Sequence, residues 1–312
     1  MKRVLALALC VIMCLTLLSG CGATGLKIDG RNIDLGYYSY YYGTSYRDNL
    51  GYGIEHVESV ALQNLFGHFA IEKIAKEYGI ALEPLERKAI IDTVNAEIAE
   101  AGDDALKLML DALSMTKSQY MDVWYNYYLG DKLQTVLFDR ETGPLALSDE
   151  DVVNYLKNDY VHARHILIST QEATSDAQFG QALKEAEEVM KKLEAGEDFA
   201  DLIAEHGDDP GETGEGYYFT SGQMVASFEE AAFALEEGEI SEIVQSSYGY
   251  HIIERLPADE AYFAEMVEDS YDYYAHVAYA QLLVDTVDAM EIETTDAFFN
   301  HNLNGAMYIF GN

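Results

Sequence analysis

Few side chains in this sequence are of a type and spacing that could do chemistry. His162 and His165 stand three apart in the run HARHILIS. The β-branched and leucine content of that run predicts a strand over 162–169. On a strand this spacing turns the two imidazoles to opposite faces, so they do not share a metal. Acidic residues abound, 55 Asp and Glu against 19 Lys and Arg. No D-x-D-x-D-G loop gathers them into a calcium site, and they read as a solvated face. Of the three cysteines, Cys10 and Cys14 fall inside an apolar stretch, and Cys21 follows it directly after Leu18-Ser19-Gly20. No metal and no cofactor are expected.

The apolar stretch is itself informative. Lys2 and Arg3 precede Val4 to Leu18, a run too short to span ~30 Å of hydrocarbon comfortably and flanked as a secretory signal is. Small residues followed by Cys resemble a bacterial lipobox, which implies a signal peptide over 1–20 and a lipid on Cys21. An ordinary signal with a chance cysteine, or an uncleaved anchor, is the competing reading. Cleavage leaves Cys21 alone, so no internal disulfide forms and stability must come from packing. It also takes the formal charge from −36 to −38. That charge counts against nucleic acid as a partner, because counterion release needs a basic surface. It leaves membrane attachment to the lipid.

Several elements must position whatever chemistry there is. The chain has 312 residues, which suggests two domains at roughly 100–200 residues each. With 49% hydrophobic and 24% charged residues, the composition is that of an ordinary globular protein. Residues 22–30 read as a polar tether. A tyrosine-dense stretch from Leu35 to Gly53 follows, read either as aromatic core or as a surface for bound peptide. Apolar residues at helical spacing run from Glu55 to Tyr78. Pro84 opens a helix to Ala101, and Thr116 to Gln119 is a capping box for a helix to about Phe138. No catalytic constellation falls within 31–150.

A further cap, Ser148 to Asp151, starts a short helix, after which the pattern changes. Beyond the strand at 162–169, helices are predicted over Asp176–Glu194 and from Asp198 to Gly207. A third is predicted behind a capping box at Ser227 to Glu230, and short strands over Ile243–Ser246 and Tyr250–Leu256. This order predicts a compact α+β or α/β domain. One amphipathic helix is expected from about 260 to 290, docking on the N-terminal helices because it cannot bury its face alone.

The middle segment resembles a parvulin-type peptidyl-prolyl isomerase. The resemblance is carried by HARHILI at 162–168, GEDF at 196–199, GQMVASFEEAAFALEEGEIS at 222–241 and SSYGYHIIERL at 246–256. The whole layout resembles the PrsA-type extracytoplasmic foldase lipoproteins of Gram-positive bacteria, and its helical part is similar to SurA in organisation only. The fold implied is α+β: a parvulin-like domain, a small antiparallel sheet with surrounding helices, inserted in an all-α chaperone domain. The boundaries are 1–20 signal peptide, 21–158 helical chaperone domain, 159–257 isomerase domain, and 258–312 a helical segment docking on the N-terminal part.

The resemblance also implies the site. His165 and His251 correspond to the family's central histidine pair, Asp209 to the Cys or Asp that faces the substrate bond, and Ser246 to a small hydroxyl residue beside the pair. Met224 and Phe228 match the pocket for the proline ring, with Leu167 as a neighbour. Two readings of the histidines stand, a direct effect on rate or a hydrogen-bond network that orients strands. The loop after the Asp position is shorter than is usual in the family, so Asp208 competes with Asp209 for its role. Ser169 to Asp176 carries Glu172 and Asp176 and no basic residue, which counts against a phosphoserine-proline preference.

The function implied is a membrane-anchored prolyl isomerase and foldase on the extracytoplasmic face, acting on X–Pro segments of exported proteins. The alternative is a holdase with an idle parvulin domain. A solute-binding lipoprotein is disfavoured, since two similar α/β lobes are missing. A homodimer is implied by the relatives alone.

Overall fold

A computed structural model describes residues 25–49, 51–295 and Phe298. The segment expected to be a signal peptide, and Cys21, the residue expected to carry the lipid, lie outside the described residues. Contacts divide the chain into two units, one formed by residues up to Ala146 together with those from Ala275 onward, the other by Leu147–Tyr274.

The first unit begins with strands β1 (Leu26–Ile28) and β2 (Arg31–Ile33). Helices α1 (Leu35–Asp48), α2 (Ile54–Tyr78), α3 (Pro84–Ala101), α4 (Asp103–Leu113) and α5 (Lys117–Leu137) follow. Local chemistry sets their ends. Asp34 caps α1 by accepting from the Gly36 N–H at 2.8 Å, and α2 stops at Gly79 in the left-handed region, φ 67°. Thr116 and Gln119 form the capping box that opens α5.

The tyrosine-dense stretch is core. Tyr37, Tyr38 and Tyr42 are buried among Val57, Leu65, Phe66 and Phe69, each large side chain contributing roughly 1.5–3 kcal/mol on burial. A second cluster joins Ile90, Val94 and Ile98 of α3 to Trp124 and Tyr128 of α5.

Two expectations for the ends of the chain are not met. Residues 26–28 are a strand rather than tether. They pair antiparallel with β2 and with β7 (Ile292–Thr294), in the order β2-β1-β7. Strands of three residues are too short to show periodicity, and only the burial of Leu26, Ile28 and Ile33 reveals why they form. The helix expected over 260–290 is also two helices, α10 (Glu260–Ala264) and α11 (Val267–Asp288). Within this first unit Tyr279 of α11 sets its ring 6.3 Å from that of Phe138.

The second unit runs α6 (Asp149–Asp159), β3 (Tyr160–Ser169), α7 (Asp176–Glu194), α8 (Phe199–His206), β4 (Tyr217–Thr220), α9 (Ala226–Ala234), β5 (Val244–Gln245) and β6 (Gly249–Arg255). It continues through α10 and the start of α11. Its sheet is antiparallel in the order β4-β3-β6-β5. Strand β3 is central and alternates strictly. Ile166 and Ile168 join Tyr250 and Ile252 against α7 and α8, while Val161, Ala163 and Ile253 join Phe219 and Phe228 on the other face. Ser227 does not cap α9: the cap residue is Val225 and carries no side-chain bond. Glu229 instead reaches back to the Gly222 N–H at 2.7 Å and Ser221 Oγ at 3.0 Å, and so fixes the turn that enters the helix.

Candidate active site

Register decides which side chains of the sheet meet. Across β3 and β6, His165 lies opposite Ile253 and Leu167 opposite His251. Directly opposed residues project to one face. His165, Leu167 and His251 therefore share the face that carries Phe228, and His162, an odd number of residues from His165, takes the other. The His162 ring nitrogens bond to Pro257 O at 3.0 Å and Glu215 O at 2.9 Å, a wholly structural use.

Four of the expected site residues form one hydrogen-bonded chain. Ser246 Oγ lies 2.7 Å from His251 Nε2, His251 Nδ1 lies 3.1 Å from His165 Nδ1, and His165 Nε2 lies 2.9 Å from Asp209 Oδ2. Burial first, and then the neighbouring His165, push the His251 imidazole down to about 4, with Asp209 pulling the other way. With His251 neutral and Ser246 Oγ already accepting from the Tyr248 N–H at 3.0 Å, one set of tautomers pairs every group in line. The Ser246 hydroxyl donates to His251 Nε2, His251 Nδ1–H donates to His165 Nδ1, and His165 Nε2–H donates to the Asp209 carboxylate. In that arrangement every ring nitrogen of the pair has a partner.

Asp209 is where the chain meets solvent, its side chain 27% exposed. Burial works against its charge. The Gly211 N–H, His165 and the Tyr217 hydroxyl outweigh this and hold the carboxyl below its usual range. Tyr217, pushed up to about 12 by burial and by Asp209, stays protonated and donates to Asp209 Oδ2 at 3.1 Å. Asp208 is occupied elsewhere, accepting from the Ser169 N–H at 2.8 Å. Of the two adjacent acids, Asp209 is the one that faces the histidines.

The apolar side of the site stands against this network. The Phe228 ring meets those of His165 and His251 edge-on, with centroids 5.1 and 5.3 Å away. Met224, half-buried, packs in the same cluster. Leu167 is on the shared face beside His251, and its carbonyl accepts from the Asp208 N–H at 2.8 Å. An aromatic ring and an adaptable thioether beside an ionised carboxylate make a slot for an apolar ring attached to a polar bond.

Two residues of the site are not visible in the sequence pattern. Tyr217 opens β4, a strand of four residues without a legible period. Glu212 sits in a glycine-rich loop and reads as a solvated acid, yet it is buried. Its carboxylate accepts from the backbone N–H of Gly214 at 2.8 Å, Gly216 at 3.2 Å and His165 at 3.2 Å. The shortened loop is thus a built turn tied to β3. At Gly216, φ 78°, a Cβ would stand 2.7 Å from the Ala163 carbonyl oxygen, so only glycine fits.

An antiparallel β4-β3-β6-β5 sheet, helices on its faces and a histidine pair beside an apolar slot define a parvulin-type isomerase domain. Residues 152–256 match the PPIC-type PPIASE domain. Foldase protein PrsA of Halalkalibacterium halodurans is 31% identical over 261 residues, covering 78% of this chain and 69% of that protein. The PrsA of Oceanobacillus iheyensis is 44% identical over 100 residues, covering 31% of this chain and 29% of its own. A crystal structure of PrsA from Bacillus subtilis aligns with 80% of this chain and 92% of that chain at 22% identity, with a TM-score of 0.29. The chain belongs to the PrsA foldase family.

Proposed function

We infer that the chain is a peptidyl-prolyl cis–trans isomerase acting as a foldase on exported proteins, held by a lipid on Cys21 at the extracytoplasmic face of the membrane. The observation that carries the enzymatic part is the unbroken chain from Ser246 through His251 and His165 to Asp209, set against Met224 and Phe228.

Isomerisation breaks no covalent bond. The amide must twist out of conjugation over a barrier of ~18–20 kcal/mol. Uncatalysed exchange takes ~10–100 s, so millisecond turnover needs about 6–7 kcal/mol of stabilisation of the twisted state. Met224 and Phe228 grip the proline ring, which leaves the preceding carbonyl as the part that rotates. A planar amide places negative charge on its carbonyl oxygen through resonance, and the twisted amide does not. An ionised Asp209 facing that oxygen raises the planar state relative to the twisted one. Tyr217, Gly211 and His165 keep the carboxylate charged and aimed. His251 and Ser246 fix the tautomer of His165 and transfer no proton.

Lipid attachment is supported by the Leu18-Ser19-Gly20-Cys21 run behind a basic and apolar leader. Mass spectrometry of the N-terminal peptide from membranes should show a lipid-modified Cys21, and an unmodified peptide beginning upstream of it would contradict the anchor. For the foldase role, the test is refolding of an exported protein whose slow phase is set by an X–Pro bond. The full chain should shorten that phase, and Met224→Ala should not. Equal yield improvement by both proteins, with the slow phase unmoved, would favour a holdase.

A further inference from the structure

A second cluster of titratable groups lies in the first unit and has no part in isomerisation. His68 of α2 is buried, its side chain 0% exposed, and its Nε2 makes no hydrogen bond. That nitrogen faces Glu72 Oε1 at 3.5 Å and Asp122 Oδ2 at 3.7 Å. Glu72 is one turn along α2 from His68, so the two share a helix face, and Asp122 comes from α5. The three ligand atoms all lie within 4.8 Å of one another.

We propose that His68, Glu72 and Asp122 bind a divalent transition-metal cation of the zinc class, which cross-braces α2 to α5. This goes beyond the isomerase reading and does not depend on it.

The spacing fits. Around a tetrahedral zinc with bonds of ~2.0–2.2 Å, neighbouring ligand atoms stand about 3.3–3.6 Å apart. The separations from His68 Nε2 are at or just beyond that range and too long for hydrogen bonds. The surrounding contacts are those that ready a ligand set. Tyr41 Oη lies 2.9 Å from His68 Nδ1 and can hold the proton on that nitrogen, which leaves the Nε2 lone pair directed at the carboxylates. The Tyr37 hydroxyl donates to Asp122 Oδ2 at 2.8 Å, and Arg31 donates to Glu72 Oε2 at 2.8 Å, leaving Oε1 turned to His68.

One turn along α5, Asn126 Nδ2 donates to the His68 carbonyl at 2.8 Å, tying the two helices at this level. Glu72 and Asp122 are 32% and 43% exposed on their side chains, which gives a cation a way in and an open coordination position. An imidazole in the set disfavours calcium and magnesium, which take oxygen ligands. Burial opposes a charge on His68, yet the two carboxylates raise its affinity for a proton. The proton is therefore the competing occupant.

The test is a titration of the purified full chain, stripped with a chelator, with Co²⁺ followed by Zn²⁺. The wild-type protein should take up about one equivalent of Co²⁺ with the visible bands of a tetrahedral site, and Zn²⁺ should displace it. Glu72→Gln and Asp122→Asn, both half-exposed and close in shape, should each weaken binding by tenfold or more. His68→Gln should abolish the bands. X–Pro exchange should be unchanged in all three. Weak binding of several equivalents, equal in wild type and variants, would assign the metal to the acidic surface and overturn the proposal. So would no binding at all, with imidazole resonances showing His68 protonated at neutral pH.

Discussion

At the scale of single residues, the site depends on which groups are charged. Asp209 stays ionised because three donors point at it, and His251 stays neutral because it is buried beside another imidazole. Linkage turns the second of these into a pH dependence. His251 binds a proton near pH 4 when folded and near ~6.5 when unfolded. Its contribution is therefore complete above about pH 6.5 and is lost as pH falls towards 4, at most roughly 3 kcal/mol. Urea midpoints of the second unit should fall across that interval, and His251→Gln should flatten the decline. Asp209 acts lower, below its ordinary value of 3.8, so the two windows are separable. A wild-type midpoint constant between pH 6.5 and 4.5 would contradict the assignment of a neutral, buried His251. Residue types alone did not reveal Tyr217 or Glu212 as site members. A tyrosine in the pair Tyr217-Tyr218 and an acid in a glycine-rich loop both look like surface until the loop closes.

At the scale of elements, legibility followed length and capping chemistry. Helix α7 lies over the residues its periodicity and Gly196 predict, and α5 and α6 begin at their capping boxes. Strand β3 is legible because its apolar run is long. By contrast β1, β4 and β7 have three or four residues each, and such pieces gain their order from partners distant in sequence. The box at Ser227 misled because Glu229 and Gly222 make the turn before it does. The loop from Asp209 to Tyr217 can be tested directly. Gly216→Ala meets the Ala163 carbonyl and a strained φ, and should destabilise the second unit by ~1–3 kcal/mol. Glu212→Gln loses a buried charge-assisted acceptor for three N–H groups and should cost a similar amount. Each should lower isomerase turnover in step with the loss of Asp209 placement. Full activity in a folded Glu212→Gln protein would show that the loop does not position Asp209.

At the scale of the whole molecule, charge sets what approaches. From Tyr160 to Pro257 the chain carries 21 acidic and five basic residues, net −16. Such a field favours cationic or neutral segments and fades with salt, whose screening length is about 10 Å at 0.1 M. At low ionic strength kcat/KM should be higher for Lys-flanked than Glu-flanked prolines, with the gap closing at ~0.5 M salt; no difference at low salt would remove charge as a selector. In the proposed mechanism an apolar slot beside an ionised Asp209 twists the prolyl amide. Exchange spectroscopy on an unphosphorylated X–Pro peptide with the full chain tests it most directly, run for wild type, Met224→Ala and Asp209→Asn. Wild type should exchange the peptide well above background, and each variant should lose about tenfold or more in kcat/KM, near 1.4 kcal/mol or beyond. Exchange at background in a folded wild-type protein, or full activity in both variants, would contradict it.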